Sequence, residues 1–182
     1  MTRAASVESH DRLRLFCALR LHDATLDLLE RWQAETLRGR VVPRANQHVT
    51  LAFLGSRPRE ELEQIVDTLR AAAAAARPPV FQAIRYRETR TVGMLVLDDE
   101  DDRATQLAHD LHVRLEALGV YRREARPWLP HLTVLRFRER PRLRPPMPEL
   151  GAFSPSGAAV YHSVLRPDGA QYTVLESAAV GG

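Results

Sequence analysis

The sequence of 182 residues predicts an α+β fold with a largely antiparallel sheet. Segments with strand periodicity and segments with helix periodicity are mixed along the chain, and at least two pairs of neighbouring strands are joined by turns short enough for hairpins. No linker is long enough to separate two domains. We therefore expect residues 12–182 to form a single domain, preceded by a disordered lead-in at residues 1–11.

In the first half of the chain, alternation marks the strands, and apolar residues three or four apart mark the helices. Asp23 is a residue type that caps a helix, and Pro58 is tolerated near a helix start. Gly55 ends the second strand, while Pro78 and Pro79 stop the second helix. The expected elements are a strand over 12–21, a helix over 23–37, a loop over 41–46, a strand over 48–54 and a helix from Pro58 to the alanine run at 71–76.

The second half continues the mixture with more strands. Gly119 follows the last turn of a third helix, and Pro167, Asp168 and Gly169 are residue types that form tight turns. The expected elements are strands over 80–86 and 91–97, an acidic turn over 98–102, a helix to about Leu118, a strand over 131–137, a proline- and arginine-rich loop over 141–148, and strands over 160–165 and 172–176.

The charge pattern is unusual because all 26 basic residues are arginine, and the net charge is +3. Arginine binds phosphate through planar, two-pronged hydrogen bonds and stacks on bases, so this composition favours a phosphate or nucleic-acid ligand. A GC-rich genome that replaces lysine by arginine throughout explains the same observation equally well. The composition leaves both interpretations open.

We expect no segment that directs the chain to a membrane or out of the cell. No apolar run reaches the roughly 18 residues of a membrane helix, and the first residues lack an apolar core of signal-peptide length. The single cysteine, Cys17, cannot form an internal disulfide and lies in an apolar run, as a small core residue does. We expect a cytoplasmic protein.

One short motif occurs twice. Residues 48–51 read His-Val-Thr-Leu and residues 131–134 read His-Leu-Thr-Val, each in a predicted strand after a proline-containing loop. Residues i and i+2 of a strand point to the same face, so each copy presents an imidazole and a hydroxyl together. A single histidine in a strand is more often a packed or surface residue, but two such copies indicate a shared function.

Paired imidazoles suit the in-line opening of a cyclic phosphodiester. One group must take a proton from water while another gives a proton to the leaving oxygen, and imidazole titrates near neutral pH and can do either. The hydroxyls of Thr50 and Thr133 can donate hydrogen bonds to the non-bridging phosphate oxygens, where negative charge builds. A metal is not required, because threonine and arginine donors can neutralise that charge. The two halves are too alike to show which histidine is the acid.

These residues resemble a known family. The stretches His48-Val-Thr-Leu-Ala-Phe-Leu-Gly55 and Arg126-Pro-Trp-Leu-Pro-His131-Leu-Thr-Val-Leu-Arg136 are similar to the two signature motifs of the 2H phosphoesterases, and in particular of the RNA 2′,3′-cyclic phosphodiesterases, once called 2′-5′ RNA ligases. The opening strand and the closing hairpin are similar as well, so the likeness covers residues 13–175. Val134 stands where the family commonly has leucine; it should point into the core.

The resemblance implies a bilobal fold with a pseudo-two-fold axis, in which mostly antiparallel sheets flank a central cleft and helices lie outside. It implies hydrolysis of the 2′,3′-cyclic phosphate end of an RNA or oligonucleotide to a 2′-phosphomonoester, with no metal and no cofactor. His48 and His131 match the family's catalytic pair, and Thr50 and Thr133 match its phosphate-binding residues. We expect a monomer without an obligate protein partner.

Phe53 and Arg136 each lie five residues after their histidine. Strict alternation places both on the face opposite the histidines, but a twist or a bulge can bring them round. The resemblance places an arginine such as Arg136 at the ligand, where it can grip the phosphate or stack on the base. For Phe53, core packing and a base contact are both open.

Several weaker signals do not by themselves assign a function. His109 and His112 have a spacing that can bind a metal, but a surface helix face is the favoured interpretation. The acidic run 98–102 lacks the spacing of a calcium loop and is expected to be a solvated turn. For four arginines after the second motif, steering of RNA and a flexible, solvated loop are both open. They are Arg138, Arg140, Arg142 and Arg144.

The sequence leaves rival functions open. The same groups can run the reaction backwards as a 2′-5′ RNA ligase, or act on 2′-5′ oligonucleotides or a cyclic ADP-ribose phosphate. A module that binds RNA ends without catalysis is a further alternative, although binding alone does not need two titratable histidines.

Overall fold

A computed structural model describes residues 12–182; the predicted lead-in at residues 1–11, which includes His10, lies outside them. Three short 3₁₀ turns, at Arg44–Asn46, Arg59–Glu61 and Glu100–Asp102, accompany the longer elements. Those elements are β1 (Arg12–Leu21), α1 (Asp23–Thr36), β2 (Arg40–Val41), β3 (Val49–Pro58), α2 (Leu62–Ala75), β4 (Phe81–Glu88), β5 (Val92–Asp99), α3 (Arg103–Ala117), β6 (His131–Arg136), β7 (Pro155–Arg166) and β8 (Gly169–Ala178).

The strands form two four-stranded sheets. The first, in the order β3-β1-β7-β8, contains the strand of the first motif, and the second, in the order β2-β6-β5-β4, contains the strand of the second motif. Every pairing is antiparallel. The prediction of an α+β fold with antiparallel sheets is therefore confirmed, with two sheets, each carrying one motif.

One apolar core contains residues of both sheets and all three helices. The helices contribute aliphatic side chains at helical spacing, such as Leu29, Ile65 and Leu111, all fully buried. Val134 is buried in the same core, as expected. Cys17 is also buried, which raises the pKa of its thiol to about 12 and confirms its prediction as a small core residue. Within residues 12–182, none of the helices has the length and apolar character needed to cross a bilayer.

Three local predictions are wrong. Gly55 does not end its strand: it takes a positive φ of 69° and β3 continues to Pro58, because Arg12 at the start of β1 still pairs there. The predicted loop at 41–46 begins with Val41 of β2, which pairs with β6, and it includes a 3₁₀ turn. The acidic run is not simply a solvated turn, since the Asp99 carboxylate accepts hydrogen bonds from the backbone N–H groups of Ala104 and Thr105 at the start of α3.

The closing hairpin is as predicted, but longer. Strands β7 and β8 pair from Ala158 with Ala178 to Arg166 with Gly169, which leaves Pro167 and Asp168 as the two turn residues. This pairing places Tyr161 and Tyr172 on one face of the first sheet, together with Phe16 of β1.

Candidate active site

The two His-x-Thr pairs line one cavity of about 980 Å³. His48 lies directly before β3 and Thr50 within it, whereas His131 and Thr133 belong to β6 in the other sheet. The structure thus brings together the four residues that the sequence singled out, although the two copies are separated by about half the chain. Phe53 and Arg136 line the same cavity.

In each of the two strands that carry a motif, β3 and β6, a bulge turns the residue five positions after the histidine into the cavity. In β3, Thr50 pairs with Ala18 but Ala52 pairs with Cys17, so Leu51 is the extra residue. Phe53 then lies opposite Phe16, which shares a face with Ala18, and the bulge therefore returns Phe53 to the face of Thr50. Phe53 is 58% exposed, which excludes core packing, one of the two roles that the sequence left open for it.

The second motif strand has the same irregularity. Thr133 pairs with Met94 but Leu135 pairs with Gly93, so Val134 is the extra residue, and Arg136 lies opposite Val92. Because Val92 and Met94 share a face of β5, Arg136 and Thr133 share the corresponding face of β6. Strict alternation would place Phe53 and Arg136 on the face opposite the histidines. It fails in both strands because of these bulges.

A buried polar side chain from a helix binds the carbonyl of each bulged residue. His112 of α3 donates from Nε2 to the Leu51 carbonyl oxygen at 2.7 Å. Gln33 of α1 donates from Nε2 to the Val134 carbonyl oxygen at 3.0 Å, and the Val42 amide donates to the same oxygen at 3.0 Å. Both side chains are buried, so each supports the strand from the side away from solvent.

His48 lies against an aromatic cluster formed by Phe16, Tyr161 and Tyr172. Its ring centroid is 4.9 Å from that of Phe16, 5.6 Å from that of Tyr161 and 5.5 Å from that of Tyr172. Its Nε2 shares a hydrogen bond of 3.0 Å with the Thr50 hydroxyl. The histidine and the threonine of the first motif are therefore in direct contact.

The surroundings of His48 favour the neutral ring. Burial lowers its pKa from the ordinary 6.5 to about 4, and the positive charge of Arg136, together with that of a protonated His131, acts in the same direction. The backbone at Asn46 opposes them by favouring the protonated ring. His48 is therefore uncharged at neutral pH in the ligand-free protein.

His131 is held differently. Its Nδ1 donates to the backbone carbonyl oxygen of Leu129 at 2.8 Å, which sets the ring orientation. No hydrogen bond within residues 12–182 occupies its Nε2, and the side chain is half-buried at the cavity wall. A neutral His131 therefore presents an accepting Nε2, and a protonated one presents a donor.

Comparisons with known proteins identify the family of this chain. A family model described as LigT like Phosphoesterase matches residues 19–87. The RNA 2′,3′-cyclic phosphodiesterase of Thermus thermophilus is 31% identical over 185 residues, which cover 93% of this chain and 91% of that protein. This chain belongs to the LigT-like phosphoesterases of the 2H superfamily.

Solved structures show the same fold. The structure of TT0787 from Thermus thermophilus is 28% identical, with a TM-score of 0.78, and the match covers 92% of this phosphoesterase and 98% of that chain. Escherichia coli LigT complexed with NADP+ is 26% identical, with a TM-score of 0.76 and coverage of 94% and 99%. The predicted 2H phosphoesterase fold is thus confirmed.

Sequence reasoning missed several residues of this site. It did not connect Phe16 and Tyr161 with the first histidine, and it used Tyr172 only as part of the closing hairpin. Period-two alternation in β1 was the available signal, because Phe16 lies on the face opposite the buried Leu15 and Cys17. Which strands would cover that face depended on pairings that are distant in sequence.

One further sequence interpretation changes, for one of the two histidines of α3. His112 is buried, not on a surface helix face, whereas His109 is exposed and lines the cavity. Within residues 12–182, no three His, Cys, Asp or Glu side chains are grouped so that they could hold a metal ion.

Trp128, in the loop before β6, lines the cavity and donates from its indole N–H to the Thr50 carbonyl oxygen at 3.0 Å, which joins the two motifs.

The arginine-rich loop after β6 is bound to the second sheet through Glu88. The carboxylate of Glu88 accepts hydrogen bonds from the backbone N–H groups of Arg142 and Leu143 and from the Arg140 guanidinium. Burial alone would raise the pKa of Glu88, but these donors and the Tyr86 hydroxyl lower it below its ordinary value. None of the loop's four arginines, Arg138, Arg140, Arg142 and Arg144, lines the cavity.

Proposed function

We propose that this phosphoesterase hydrolyses 2′,3′-cyclic phosphate ends of RNA to 2′-phosphomonoesters, with His48 and His131 as the general acid and general base. The observation that carries the proposal is that two half-buried His-x-Thr pairs, one from each sheet, line one cavity with an arginine. An in-line displacement at phosphorus requires two titratable groups, one for the attacking water and one for the leaving oxygen.

The reaction needs no group beyond water and these side chains. One imidazole takes a proton from water as the water oxygen attacks phosphorus in line with O3′. The P–O3′ bond breaks and the other imidazole, protonated at the start, gives its proton to O3′. The product carries its phosphate on O2′, one water has been added, and the two histidines have exchanged protonation states.

The remaining cavity residues have distinct roles in this proposal. The hydroxyls of Thr50 and Thr133 donate to the two non-bridging oxygens, and the guanidinium of Arg136 supplies positive charge beside them. The exposed ring of Phe53 offers a face on which the terminal base can stack. These donors take the place of a metal ion.

The relatives support a nucleotide substrate. The Thermus thermophilus relative is named for its action on RNA 2′,3′-cyclic phosphates, and Escherichia coli LigT has been crystallised with phosphate and with 3′-AMP. This chain has the same fold, and its cavity is large enough for a nucleotide.

The decisive experiment measures turnover of a nucleoside 2′,3′-cyclic phosphate in the presence of a chelator. We expect a 2′-phosphomonoester as product, identified by ³¹P NMR, at a rate that the chelator does not change. Loss of turnover with the chelator, restored only by a divalent metal, would refute the metal-independent mechanism. Tight binding without turnover would instead establish the alternative of a module that only binds RNA ends.

A further inference from the structure

The cavity carries more positive charge than one cyclic phosphate requires. Its lining includes four arginines and one glutamate, an excess of three positive charges when the histidines are neutral. A 2′,3′-cyclic phosphate carries a single negative charge. Guanidinium groups that face a cavity without a counter-charge favour an anionic ligand, so any of these arginines that lacks an acidic partner can bind a second anion of the same substrate.

Two of the four arginines are already paired. Arg123 forms an ion pair with Glu116 at 3.3 Å, and Arg126 forms one with Glu124 at 2.8 Å. In the proposed reaction Arg136 lies beside the reacting phosphate. Arg87 of β4 is left: within residues 12–182 it has no acidic partner and no hydrogen bond, and its side chain is exposed to the cavity.

Strand pairing fixes where Arg87 lies relative to the reacting phosphate. Arg87 pairs with Met94, and Met94 pairs with Thr133, so the three residues stand side by side on one face of the second sheet. Two strand spacings separate the backbones of Arg87 and Thr133, which is about 10 Å. A second phosphate bound by Arg87 therefore lies beside the first, within the reach of one nucleotide unit.

The acidic residue next to Arg87 in the chain does not neutralise it. Glu88 is the next residue in β4 and points to the opposite face, where the loop residues Arg140, Arg142 and Leu143 bind its carboxylate. The positive charge of Arg87 is thus available to a ligand in the cavity.

We propose that Arg87 forms a second phosphate subsite, which binds the phosphodiester on the 5′ side of the terminal nucleotide. This inference rests on the proposed function and names its substrate class: an oligonucleotide with a cyclic phosphate end, preferred over a cyclic mononucleotide. Arg87 contacts substrate away from the reacting atoms and sets specificity.

The first test compares kcat/KM for a dinucleotide and a mononucleotide that both end in a 2′,3′-cyclic phosphate. We expect Arg87→Ala to lower the value for the dinucleotide by about tenfold, the size of one lost charge-assisted hydrogen bond, and to leave the mononucleotide unchanged. Arg85→Ala is the matched control, because Arg85 is an exposed arginine of the same strand that does not line the cavity. Equal losses on both substrates, or no loss on either, would overturn the subsite.

The second test removes the charge from the substrate. In one dinucleotide the internal phosphodiester is replaced by a neutral methylphosphonate. The unaltered protein should hydrolyse it about tenfold more slowly than the normal dinucleotide, whereas the Arg87→Ala variant should hydrolyse both at the same rate. A penalty of equal size in both proteins would contradict a contact between Arg87 and that phosphate.

A binding measurement separates this inference from the proposed function. The affinity of a 2′-phosphorylated dinucleotide, compared with a 2′-phosphorylated mononucleoside, needs no turnover. If the protein does not hydrolyse cyclic phosphates but Arg87→Ala still removes a preference of about tenfold for the dinucleotide, the proposed reaction fails and the subsite stands. Absence of any preference overturns the subsite, whatever the activity.

Discussion

In the first half of the cavity His48 packs against Phe16, Tyr161 and Tyr172, whereas in the second half a backbone carbonyl holds the ring of His131. The aromatic cluster removes water from His48 and lowers its pKa to about 4. The two motifs are alike in sequence and in backbone, yet the neighbours that each meets differ. A repeated motif thus duplicates the position of an imidazole without duplicating the side chains that surround it.

The two bulges likewise have the same geometry but are supported by different side chains. Leu51 and Val134 are the extra residues of corresponding bulges, and a buried helix side chain binds each carbonyl. One side chain is a histidine and the other a glutamine, so the geometry is repeated with different chemistry. The shared requirement is a buried donor for a backbone carbonyl.

The largest expected effect comes from breaking the pair of histidines. His48→Ala and His131→Ala should each lower kcat/KM on a cyclic phosphate by about 10²–10⁴, because each removes a positioned acid or base. The exposed His22, outside the cavity, provides the control His22→Ala, which should keep full activity. Near-full activity in either cavity variant would remove the basis of the proposed mechanism.

A smaller effect is the pH dependence of stability that His48 contributes. With a pKa of about 4 in the folded protein and 6.5 in the unfolded chain, His48 binds more protons when unfolded, so its contribution to stability falls as the pH drops from 6.5 to 4. The free energy of unfolding should lose on the order of 2–3 kcal/mol over this range from His48.

Urea titrations at several pH values test this. His48→Gln should reduce the loss of stability on acidification, whereas the matched variant His131→Gln should retain it because His48 is still present. The same pH dependence in His48→Gln as in the unaltered protein would show that the aromatic cluster does not keep His48 neutral.

The two side chains that support the bulges should contribute unequally to the free energy of unfolding. Loss of one buried donor costs about 1–3 kcal/mol of unfolding free energy, which applies to both Gln33→Met and His112→Leu. We expect His112→Leu to be the more costly. The Val134 carbonyl keeps the Val42 amide, whereas outside the strand ladder the Leu51 carbonyl has no other partner within residues 12–182.

Chemical denaturation of the two variants measures that difference. His109→Leu, on the same helix as His112 but exposed, is the control and should change stability by no more than about 0.5 kcal/mol. If His112→Leu is as stable as this control, the hydrogen bond does not support the bulge.

The smallest effect distinguishes the roles of Phe53 and Arg136, the residues five positions after each histidine. Phe53→Ala should raise KM for a cyclic nucleotide by about tenfold through loss of stacking, with little change in its dependence on salt. Arg136→Gln should instead weaken that dependence, because it removes a charge beside the phosphate. Steady-state kinetics at several salt concentrations distinguish the two, and identical salt dependence in both variants would contradict the assigned roles.

Much of this protein followed from local sequence. Alternation and turn residues located the two motif strands and the closing hairpin, and the spacing within each motif placed each imidazole beside a hydroxyl. These features could be predicted because they depend on residues within a few positions of one another. The family followed from the same two motifs.

Tertiary structure decided the rest. The bulges at Leu51 and Val134 exist only relative to β1 and β5, and they alone turn Phe53 and Arg136 into the cavity. The burial of His112 likewise depends on packing against a strand 61 residues away. Strand pairing and burial join residues distant along the chain, so the electrostatics of the site arise from neighbours that no local pattern specifies.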